Sequence, residues 1–182
     1  MAEQELPAAF PGAHHQSHEP DGTDPLTAIA TPLLTVKKTS ETVNNSTTLQ
    51  DDDELKFHID PDETWEIEYG LLIDSGATPD FKASFSVPSG CSINYAVATQ
   101  LAGAPAIFYG TTGAIILDGF GAGTPYFQIV RAMFRNGATK GDVVLQWAQN
   151  TLNASDTKVL ADSYLKGFRL KPAGGVQKVA PL

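Results

Sequence analysis

The sequence predicts an all-β chain: a jelly-roll-like β-sandwich preceded by an extended N-terminal arm. Three observations carry that expectation. From Leu33 onward apolar residues alternate with polar ones, and no stretch shows a helical stripe. Turn-forming pairs punctuate the chain at intervals of roughly 8 to 12 residues. About 135 residues suit a jelly roll.

The arm comes first. Residues 1–32 hold five of the twelve prolines, three of the four histidines, five acidic residues and no Lys or Arg. After Met1 their only large apolar side chains are Leu6, Phe10, Leu26 and Ile29. Such a segment buries too little surface to offset its ordering entropy. It is expected to be an attachment arm that takes shape against a partner, with those four residues as contacts.

The domain is expected over residues 33–171. Trp65, Ile67, Tyr69, Leu71 and Ile73 alternate with Glu66, Glu68, Gly70 and Leu72, as a strand with one buried face requires. Phe81–Val87, Cys91–Val97 and Val143–Trp147 repeat the pattern. Leu33–Lys38, Leu55–Ile59, Ala106–Tyr109, Ala114–Leu117 and Leu165–Lys171 are shorter candidates. Tyr126–Arg135 is apolar on both sides, which predicts a strand covered on both faces. Asp60-Pro61-Asp62, Asp74-Ser75-Gly76, Pro88-Ser89-Gly90 and Lys140-Gly141-Asp142 have turn chemistry. Asn136-Gly137 is the hairpin candidate, with three further residues before the next strand. Residues 172–182 return to the Pro/Gly character of the arm and are expected to form an extended tail over a surface.

Charge and composition exclude several function classes. Twelve basic against twenty-one acidic residues give a net charge of -9, so a phosphate-tracking nucleic-acid surface is not expected. The single cysteine, Cys91, precludes an intrachain disulfide and a multi-cysteine zinc site. No apolar run is long enough for a spanning helix, and the first residues lack the basic and apolar regions of a signal peptide. Synthesis in a reducing cytoplasm, with no membrane partner, is the expectation.

Candidate chemistry is sparse, and the expectation is a chain that is not an enzyme and needs no cofactor. His14 and His18 would share a helix face and could hold zinc, but Pro11, Gly12 and Pro20 leave little room for that helix. They are read as part of a polar arm, with one histidine per chain on a three-fold axis as the surviving metal option. Asp51-Asp52-Asp53-Glu54 lacks the alternating ligands of a calcium loop and is expected to be a solvated turn before Leu55–Ile59. Glu66 and Glu68, about 7 Å apart on one strand face, could be paired as glycosidase carboxylates. Their regular alternation fits an exposed sheet face better. His58 is read as a hydrogen-bonded structural residue and Cys91 as a small hydrophobe. Among the aromatic residues, Tyr109 and Tyr126 border Gly-rich loops and are the candidates for glycan contact.

Residues Thr42–Phe57 and Glu63–Tyr69 resemble a β-domain that recurs in virion proteins of tailed bacteriophages. Phe81–Pro88, Gly141–Asn150 and Thr157–Leu165 fit the same pattern, and His14–Leu26 is similar to leaders upstream of phage fibre domains. The resemblance implies a structural protein of the virion, a capsid decoration or head-fibre module. Its arm would dock on the major capsid protein or another virion protein, and its β-domain would form a homotrimer. It supplies no catalytic residues. A tail or baseplate fibre binding a host surface glycan is the alternative within the same fold. A free-standing carbohydrate-binding or hydrolytic domain is the alternative from another class.

Overall fold

The computed structural model describes residues 32–101, 104–110 and 114–171. The arm residues Leu6, Phe10, His14, His18, Leu26 and Ile29, and the tail 172–182, lie outside the described residues. Among the described residues there are strands and no helix. In chain order the strands are β1 (Leu33–Val36), β2 (Glu41–Val43), β3 (Gln50–Ile59), β4 (Thr64–Ser75), β5 (Phe81–Ser86) and β6 (Ser92–Leu101). They continue as β7 (Ala104–Gly110), β8 (Ile115–Leu117), β9 (Tyr126–Arg135), β10 (Gly141–Gln149), β11 (Thr157–Val159) and β12 (Tyr164–Lys171).

The pairing is nested. β6 pairs with β7, β5 with β8, β4 with β9 and β3 with β10, all antiparallel. A long hairpin folded over on itself gives this pattern, and the fold is a jelly-roll sandwich. One sheet runs β3-β10-β5-β8. The other runs β1-β12-β4-β9-β6-β7, with β11 beside β4 and β2 beside β11. Strands β1, β2, β11 and β12 thus widen one sheet beyond the eight-stranded roll.

Alternation places the core between the sheets. Ile67, Tyr69, Leu71 and Ile73 of β4 and Val130, Ala132 and Phe134 of β9 point inward from the large sheet. Leu55, Phe57 and Ile59 of β3, Phe81 and Ala83 of β5, and Val143, Leu145 and Trp147 of β10 meet them. The aromatic rings interlock: Phe134 meets Phe57 and Phe85 edge-on at 5.6 and 5.3 Å between centroids, and Trp147 stacks on Phe81 at 6.0 Å. Trp65 packs at the rim against Phe57 at 5.6 Å, its Nε1 donating to Glu63.

Three expectations need correction. β9 is covered on one face only; Phe127 is 51% and Ile129 37% exposed, while Val130 and Phe134 are buried. Asp51–Glu54 is not a solvated turn but part of β3, with Asp52 buried. The carboxylates there have partners: Gln146 donates to Asp51, Lys37 to Asp52, and Lys38 N, Thr39 N and Thr39 Oγ1 to Glu54. The run therefore pins the β1–β2 connection. Asn136-Gly137 is not a hairpin turn, because β9 and β10 belong to different sheets. Asn136 Nδ2 instead donates to Asp60 O and Thr139 O, fixing a crossover.

Candidate functional site

The outer face of the large sheet concentrates both charge and uncovered apolar surface. Its register follows from the ladder. Leu34 stands opposite Lys166, Lys166 opposite Glu68, and Glu68 opposite Arg131. On one side of this row lie Phe168, Glu66, Met133 and Asn94; on the other lie Val36, Tyr164, Gly70 and Ile129. Residues directly opposite on adjacent strands share a face and touch.

Glu68 is the centre of the row. Its Oε1 accepts from Lys166 Nζ and from Tyr164 OH, each at 3.0 Å. Its Oε2 accepts from Arg131 Nε at 3.1 Å and from the guanidinium Nη2 at 3.0 Å. Burial alone would push the Glu68 carboxyl up, but hydrogen bonds from Lys166, Tyr164 and Arg131 bring it below its ordinary range. Reciprocally, the bond to Glu68 raises Lys166. The Lys166 ammonium also sits 5.4 Å from the centre of the Tyr164 ring. Tyr164 lies flat across Gly70, where a Cβ would run into the ring. Only glycine lets that ring reach Glu68.

Beside this cluster is a shallow depression of about 240 Å³, lined by Glu66, Glu68, Arg131, Lys166, Gly167 and Phe168. Uncovered apolar side chains flank it: Leu34, Val36, Phe127, Ile129 and Phe168. Exposed large apolar side chains gathered on one face, here on both sides of a charged row, make that face a candidate interaction surface. A carboxylate held by three donors and kept ionised is poorly suited to general-acid work, which needs a raised carboxyl. The arrangement suits binding.

The residues singled out in the sequence distribute as follows. Glu66 lines the depression and is exposed, whereas Glu68 is engaged as described. Tyr126 opens β9 with Phe120 edge-on at 4.8 Å, its hydroxyl buried and pushed up by burial and by Asp80 and Asp118. Tyr109 stands opposite Ala96 in β7, and its side chain lies outside the described residues. His58 Nδ1 is 2.8 Å from Asp142 Oδ1 on the outer face of the small sheet. Cys91 packs against the core, and burial pushes its thiol up.

Sequence reading missed Lys166, Arg131 and Tyr164 as partners of Glu68, and Lys37 as a buried cation. No short-range signal marks these groups, because the register of β12 against β4 and of β4 against β9 brings them together. The exposed half of β9 was legible as apolar, and only its covering was misjudged.

No family model and no curated protein matches the chain. Among solved structures, it is similar to the N-terminal CBM22-1–GH10 modules of Clostridium thermocellum endo-1,4-β-D-xylanase 10B. That match has 10% identity and a TM-score of 0.35, and it covers 80% of this chain and 25% of that one. The infectious bursal disease virus Gt strain matches at 10% identity and a TM-score of 0.23, over 82% of this chain and 43% of that one. The VP2 subviral particle of the same virus matches at 11% identity and a TM-score of 0.20, with the same coverage. The chain thus spans less than half the length of each. Likenesses this slight carry no argument about function.

Proposed function

We propose that this chain is a non-catalytic building block of a tailed-phage particle, a capsid decoration or head-fibre module. In this reading residues 1–32 attach it to the major capsid protein or another virion protein. The jelly roll trimerises through the outer face of the large sheet. The observation that supports self-association is that face, where Leu34, Val36, Phe127, Ile129 and Phe168 surround an ionised, charge-paired Glu68.

Charge favours a second copy as the occupant. A net charge of -9 keeps copies apart in general. On this face Lys166, Arg131 and Arg135 stand among Glu66 and Glu68, so repulsion is locally relieved and both signs are available for pairing across an interface. The phage assignment rests on the sequence resemblance. The jelly roll is compatible with it but also serves lectin domains and other modules, so the fold does not select the function. Imaging particles that carry the tagged chain by cryo-EM tests the assignment: density at capsid lattice sites is expected, and density confined to the tail would contradict it.

A further inference from the structure

Lys37, immediately after β1, is a lysine with no exposed side chain. Its backbone is clamped, with N donating to Ser163 O at 2.7 Å and O accepting from Asp162 N at 2.9 Å. Its ammonium reaches Asp52 Oδ1 at 3.0 Å and also contacts the Glu41 carboxylate. Side-chain exposure is 0% for Lys37 and Asp52 and 16% for Glu41. Two carboxylates and one amine thus meet in a nearly dry site against the core.

The two oxygens of Asp52 are held unequally. Oδ1 also accepts from Glu54 N at 3.0 Å and from Leu55 N at 2.8 Å. Oδ2 is buried and takes no hydrogen bond from the described residues. An unsatisfied buried carboxylate oxygen is costly in an ordinary ion pair. As the departing oxygen of an acyl transfer it is in its place, because Oδ1 already has the two backbone donors that stabilise a tetrahedral oxyanion.

We propose that Lys37 and Asp52 condense to an intramolecular amide between Nζ and Cγ, with Glu41 carrying the proton. Burial weakens the hold of Lys37 on its proton, but hydrogen bonds to Glu41 and Asp52 raise it above the ordinary 10.5, so the site rests as an ion pair. The reaction starts with proton transfer inside that pair. One ammonium proton passes through Glu41 to Oδ2, leaving a neutral amine facing a neutral acid. The Nζ–Cγ bond forms, and the charge gathers on Oδ1 between the amides of Glu54 and Leu55. A second proton moves from nitrogen to Oδ2, the Cγ–Oδ2 bond breaks, and water departs. Glu41 ends as the carboxylate it began as. Fixed contact in a water-poor site gives the effective concentration that such a condensation needs. The amide would tie the chain just after edge strand β1 into the small sheet. The inference is independent of the phage assignment.

Intact mass of the purified full chain under denaturing conditions is the test. The wild type is expected to be lighter than its sequence by one water, with a branched peptide joining Lys37 to Asp52. The Glu41→Gln variant, with circular dichroism confirming its fold, is expected to keep the full mass. A wild-type mass equal to the sequence overturns the proposal. So does water loss mapping to a cyclised aspartate with Lys37 free, or a Glu41→Gln variant that condenses as completely as the wild type.

Discussion

Alanine at Phe134 and at Phe127 separates the two faces of β9. Phe134 is fully buried and bridges to Phe57 and Phe85 of the other sheet, whereas Phe127 is 51% exposed. Removing a buried phenylalanine costs about 3 to 5 kcal/mol. With two edge-on aromatic partners lost as well, Phe134→Ala should fall in the upper half, about 4 to 5 kcal/mol. Phe127→Ala, measured on chain dilute enough to be monomeric, should stay within about 0.5 kcal/mol of wild type. Urea titration followed by tryptophan fluorescence reads both. At a slope of about 2 kcal/mol/M the Phe134 variant should unfold about 2 M earlier, with the slope unchanged. Equal losses at the two positions would refute the one-sided covering of β9, and with it the exposed face on which the functional reading stands.

Other outcomes follow from the same geometry. Glu63 is buried and accepts from Arg169, Trp65 Nε1 and Asp60 N. Burial would raise it, but these bonds lower it below its ordinary 4.5. A lowered carboxyl contributes stability above the unfolded value that is lost as pH falls through the folded one. Glu63→Gln should therefore be less stable than wild type at neutral pH and approach it well below pH 4.5, and a constant gap across that range in urea titrations would contradict this. Glu68→Gln should weaken self-association more at low than at high salt, because Lys166 and Arg131 lose their shared anion; salt-independent sedimentation would count against it. Deleting residues 1–32 should leave a folded β-body that no longer attaches to its particle. Wild-type occupancy of the truncated chain on particles would contradict the role of the arm.

The physics explains what could be read in the sequence. β4 was legible because Trp65, Ile67, Tyr69, Leu71 and Ile73 alternate over a long strand. β9 misled because an uncovered apolar face and a covered one have the same composition, and alternation cannot report what lies outside the chain. The acidic run misled for the opposite reason: Asp52 is buried only because Lys37, fifteen residues earlier, neutralises it. β2 and β11, three residues each, are too short to show a period and exist through their pairing with each other and, for β11, with β4. Nested pairing of β3 with β10 across some eighty residues is non-local, so the jelly roll was accessible as a class and its strand order was not.

Light scattering on the full chain, alongside Ile129→Asp, tests the central claim most directly. The account predicts a particle of three chains for the wild type and a folded single chain for the variant. A wild type that stays a single chain at every concentration, or an Ile129→Asp variant that associates equally well, would contradict it.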